Sequence, residues 1–175
     1  MKDKGPKTID NVAMFFAYAY MLECESAERY QDMADCMEVH NNLEVSELFQ
    51  KMAQHAEQRV EEVSRRTEGI DLPEIPPWEF GWTCPQSPET PCSDKFHYLM
   101  STQQALEVAL YNANRGSEFY AQVACESPDK NVRHIAAEYV TGALKHSDML
   151  KRWMAKAAEN DEEPLEDLDP PNITE

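Results

Sequence analysis

Four long apolar stripes with helical spacing, arranged as two pairs around one proline-rich stretch, constrain this 175-residue chain more than any other feature. The first runs Phe16, Tyr20, Ala27, Tyr30, Ala34 and Met37, the second Val45, Leu48, Phe49, Met52, Ala56, Val60 and Val63. The third is Leu106, Ala109, Ala113, Gly116, Tyr120 and Val123, and the fourth Val132, Ile135, Ala136, Tyr139, Val140, Ala143, Met149, Leu150 and Trp153. Recurrence at three and four residues puts each set on one face of a helix. A helix that is apolar on one side needs partners to cover that side, and two short-linked hairpins provide them as an antiparallel four-helix bundle. Caps agree with this division. Asp10 or Asn11 can cap the first helix, Asn42 the second, Ser101 with Gln104 the third as a capping box, and Asp129 the fourth, while Gly69 ends the second. The bundle is expected over residues 9–158.

Residues 69–93 form the expected crossover between the hairpins. Pro73, Pro76, Pro77, Pro85, Pro88 and Pro91 forbid regular helix there. Trp78, Phe80 and Trp82 are too apolar for a solvated linker, so the segment is expected to pack along the bundle. A short helical piece is expected from Asp94 to Met100. From Glu159 to Glu175 the chain is acidic and proline-bearing and reads as a flexible tail.

Charge narrows the partners. With 33 acidic and 16 basic residues the formal net charge is −17, which repels nucleic-acid phosphates and anionic membrane surfaces. No apolar run reaches the ~20 residues needed to span a bilayer. Lys2, Lys4 and Lys7 before the apolar run Val12–Leu22 imitate a secretory signal, but no small-residue cleavage site follows, and Glu23 and Glu25 continue the same helix. The five cysteines include no C-x-x-C pair, so reduced thiols and a cytoplasmic location are expected, with Cys84 and Cys92 the one pair suspected of bridging. The same spacing argues against a four-cysteine iron or zinc site.

The hairpins repeat one another. Glu28–Ala34 (ERYQDMA) parallels Glu118–Ala124 (EFYAQVA), ninety residues later, and the second and fourth helices align at an offset of eighty-seven. With this duplication the chain resembles the rubrerythrin-like branch of the ferritin-like superfamily, over residues from about 12 to 156 apart from much of the crossover. The resemblance implies a carboxylate-bridged pair of irons inside the bundle, held in each half by a Glu seven residues before the Tyr and an E-x-x-H on the next helix. Glu23 and His146 stand at two of those ligand positions. The other four are taken by Ala56 and Arg59 in the second helix, Ala113 in the third and Ala143 in the fourth. A metal pair needs bridging carboxylates to offset its charge, and both bridging positions are alanine. The rubredoxin-like electron-transfer module of full rubrerythrins is also absent from the sequence.

A buried Glu23 without a cation is costly to keep ionised, and Arg59 occupies the facing position, so an internal Glu23–Arg59 ion pair is expected in place of metal. His146 then reads as a core histidine with Tyr30, Tyr120 or Asn114 as its candidate partners. His55 is expected near the surface. The resulting expectation is a non-catalytic binding or assembly module with no cofactor, working as a homodimer or with a related ferritin-like chain. The alternative is an iron-dependent oxidoreductase, reducing peroxide or oxidising ferrous ion at a residual site built on Glu23 and His146, with His55 or a nearby carboxylate as a further candidate ligand. A second alternative is an apolar small ligand held where the metal pair would sit.

Overall fold

The computed structural model describes residues 8–76 and 97–161. It forms an all-helical, ferritin-like four-helix bundle: α1 (Val12–Val39), α2 (Leu43–Arg66), α3 (Thr102–Glu126) and α4 (Lys130–Asp161). Trp78, Phe80, Trp82, Cys84 and Cys92 of the crossover and residues 162–175 of the expected tail lie outside the described residues. Cys24, Cys36 and Cys125 are free thiols.

Local chemistry sets the helix ends. Asn11, not Asp10, caps α1, its Oδ1 accepting from the Met14 amide at 2.8 Å. Helix α1 closes in a Schellman turn: the Asn42 amide donates to the Met37 carbonyl and the Asn41 amide to that of Glu38, both at 2.9 Å. Asn41 takes the left-handed conformation this requires, at φ 59°. Asn42 stands at the N-cap position of α2, yet its side chain makes no capping bond. Its amide nitrogen donates instead to the carbonyls of Tyr98 and Met100. Those bonds, with the His40 ring stacked on Tyr98 at 4.7 Å, pin the chain before α3 to the first hairpin turn. Only a turn at Tyr98–Leu99 forms within the described part of the helical piece expected there. The Ser101–Gln104 capping box opens α3, and Asp129 Oδ1 accepts from the amides of Asn131 and Val132 to open α4. Helix α4 runs to Asp161, three residues into the expected tail, because no proline interrupts it before Pro164.

Cross-helix contacts give the topology. Tyr18 of α1 meets Phe119 of α3, and His55 of α2 meets Trp153 of α4. Thr102 at the start of α3 donates to Glu44 at the start of α2, so α2 and α3 run in parallel and the chain between them spans the length of α2. The described beginning of that link packs on the bundle through Leu72 and Ile75.

The apolar core is divided in two. One cluster surrounds Met37, Phe49, Met52, Leu106 and Leu150, near the α1–α2 turn. The other surrounds Phe15, Phe16, Tyr120, Val132 and Val63, near the α3–α4 turn, where Ser127 Oγ also donates to the Ile9 carbonyl at 2.7 Å. No helix among the described residues is long and apolar enough to cross a membrane. The cap geometry predicts that Asn11→Ala lowers unfolding free energy by about 1 kcal/mol in urea melts. Asp10→Ala should change it by less than about 0.5 kcal/mol.

Candidate functional site

The candidate site fills the gap between the two apolar clusters. Glu23 lies midway along α1 and is 5% exposed. Both of its oxygens are taken. Arg59 of α2 donates from Nε to Oε2 at 2.7 Å, and Tyr120 of α3 donates its hydroxyl to Oε1 at 3.1 Å. Three helices thus meet at one carboxylate. Burial works against the Arg59 cation, but the Glu23 charge and hydrogen bond outweigh it and hold its pKa above the ordinary arginine value. Burial, reinforced by the same Glu23 charge, pushes the Tyr120 hydroxyl well above the ordinary phenol range, so it stays a donor.

Helix α4 contributes His146. It stands 6.4 Å, ring centroid to centroid, from His55, which is half-buried near the surface, as expected, and packs beside Trp153. Burial first, then the Arg59 and His55 charges, depress the His146 imidazole to about 4. The candidate partners of His146 are engaged elsewhere: Tyr120 with Glu23, Tyr30 with Asn112, and Asn114 with Ser147. A second ion pair closes the outer edge, where Arg66 donates to Glu138 at 2.8 Å with its guanidinium against the rings of Phe16 and Tyr139. His134 lies on the outside of α4, 3.6 Å from Glu138.

The positions that the resemblance assigns to metal ligands surround a cavity of about 290 Å³, partly open to solvent. Five of the six positions, Glu23, Arg59, Ala113, Ala143 and His146, line it, while Ala56 is fully buried in α2 and is not among the lining residues. Gly116 and Gly142 line it as well, and a Cβ on either would meet no atom within 4 Å. The donor set does not fit a metal pair. The one buried carboxylate is saturated, and the cavity's other acids, Glu62 and Glu138, lie exposed at its edge. Among the described residues no three His, Cys, Asp or Glu side chains converge closely enough to hold a metal ion.

No family model matches the sequence, and no curated protein matches it either. The crystal structure of an uncharacterized conserved protein from Magnetospirillum magnetotacticum is similar, at 35% identity and a TM-score of 0.64, over 83% of this chain and 95% of that one. The chain belongs to that conserved, ferritin-like family.

Arg66 carried a readable signal that sequence reasoning passed over, and Tyr120, read as a candidate partner of His146, has Glu23 as its acceptor instead. Tyr120 repeats Tyr30 and sits where a hydroxyl can reach across to α1. Arg66 follows Arg59 by seven residues, two helical turns along the same face. The approach of His55 to His146 depends on the rotation of α2 against α4.

The depressed His146 pKa has a stability consequence with a definite sign. The unfolded chain binds this proton near pH 6.5 and the folded chain only near pH 4, so stability is full above about 6.5 and falls as pH drops toward 4. The loss from this group reaches on the order of 3 kcal/mol. Urea melts across that window should show His146→Gln flattening the slope. An unchanged slope would show that His146 is not held neutral.

Proposed function

We propose that this chain is a non-catalytic member of its ferritin-like family, a binding or assembly module in which the Glu23–Arg59 pair stands in place of a metal pair. The observation that carries the reading is the 2.7 Å contact from Arg59 Nε to the one buried carboxylate of the site. A guanidinium at that distance supplies the positive charge that Glu23 needs, and it repels a divalent ion from the same space. The alanines at 56, 113 and 143 leave no bridging oxygen for iron, so peroxide reduction or ferrous oxidation has no centre on which to run. No resident cofactor follows from this reading.

Assembly as a homodimer, or with a ligand-complete relative, completes the proposal. Exposed Val39, Leu43, Tyr98 and Leu99 around the α1–α2 turn offer apolar surface for such pairing. A cytoplasmic location is part of the same reading and rests on the cysteine spacing.

Aerobic loading with ferrous iron, desalting and metal analysis test the proposal. The chain should retain far less than one iron. The combined variant Ala56→Glu, Arg59→His, Ala113→Glu and Ala143→Glu completes the six-ligand pattern and should retain about two irons per chain. Retention of about two irons by the unmodified chain would overturn the proposal.

A further inference from the structure

The cavity beside Arg59 has polar capacity that the protein itself does not use. Arg59 spends Nε on Glu23, and no hydrogen bond of its two terminal nitrogens occurs among the described residues. Its side chain remains 31% exposed, facing the space that it helps to line. The Tyr139 hydroxyl also lines the cavity and is buried; Arg66 is its neighbouring donor, and no acceptor takes its proton among the described residues. Of the lining carboxylates, Glu23 is bound at both oxygens, Glu138 is held by Arg66 and Glu62 lies exposed at the edge, while the neutral His146 imidazole also faces the cavity. The terminal nitrogens of Arg59 can only donate, and a guanidinium edge with two free N–H groups matches a planar carboxylate. Around it the wall is apolar and short-chained, with Leu22, Val63, Ala113 and Ala143. A body of about 290 Å³ lies at the small end of small-molecule sites.

We propose that this cavity binds a small monocarboxylate with a short apolar body, the carboxylate on the terminal nitrogens of Arg59 and the body between α1, α3 and α4. The assignment rests on the reading that Arg59 and not a metal pair holds the centre. At the edge Glu138 is paired with Arg66, and Glu62 lies exposed beside that same cation, where solvent screens its charge. A cationic ligand finds no free carboxylate inside, and a purely apolar one leaves the Arg59 nitrogens dry and unpaired, which is unfavourable.

Calorimetry of the intact protein with hexanoate, hexan-1-ol and hexylamine tests it. Hexanoate should bind saturably, at one per chain, and at least about tenfold more tightly than hexan-1-ol, with hexylamine weaker again. Ala143→Leu, and separately Ala113→Leu, place a larger side chain in the cavity and should abolish hexanoate binding while the melting temperature holds. Absence of saturable hexanoate binding overturns the proposal, as does equal affinity for hexan-1-ol or unchanged binding in a filled variant that still melts cooperatively. A chain that retains no iron and ignores hexanoate overturns this proposal alone. A chain that retains about two irons overturns the reading beneath it and this proposal together.

Discussion

One carboxylate, Glu23, organises the middle of this bundle. Ionised and 5% exposed between two apolar clusters, it would be strongly destabilising without compensation. The compensation comes from two other helices: Arg59 binds one oxygen and Tyr120 the other. Those bonds set the axial register of α1 against α2 and of α1 against α3. They also fix the electrostatics around them. The Arg59 charge helps keep His146 and His55 neutral, and the Glu23 charge helps keep Tyr120 protonated. Such a pair need not raise net stability over an apolar packing of equal volume, but it defines one arrangement and penalises others.

The division of the core follows from the same constraint. Large apolar side chains fill the ends, with Phe49, Met52, Leu106 and Leu150 on one side and Phe15, Phe16, Val63 and Val132 on the other. The middle combines the charged pair with alanines and glycines, and small residues next to an ion pair do not close the space. The cavity is therefore the joint result of small residues at 113, 116, 142 and 143 and of a guanidinium that reaches only one of its sides.

Much of this was legible in the sequence. Stripes at helical spacing, the Ser101–Gln104 box and the repeat of the hairpins read directly as four helices, because local propensity, capping and apolar pattern agree. The facing of Glu23 and Arg59 was legible because both stand at positions that the duplicated pattern turns inward. What was not legible depends on geometry between helices. Asn42 looked like a cap, yet its side chain reaches the carbonyls of Tyr98 and Met100, fifty-six and fifty-eight residues away. His55 lies near the surface as read, but its approach to His146 and Trp153 depends on how α4 packs against α2. Tyr120 was visible as a repeat position, but the choice of Glu23 as its acceptor requires the spacing of α1 and α3.

The most direct measurement of the central claim is a double-mutant cycle on Glu23→Gln and Arg59→Met, read as unfolding free energy at neutral pH. Each single change should be destabilising by about 2–4 kcal/mol, toward the lower end because Arg59 is 31% exposed. The double variant should lose clearly less than the sum, with a coupling of about 1–3 kcal/mol. Additive losses would mean that the two side chains do not depend on one another, and that the pair does not hold the centre of the bundle.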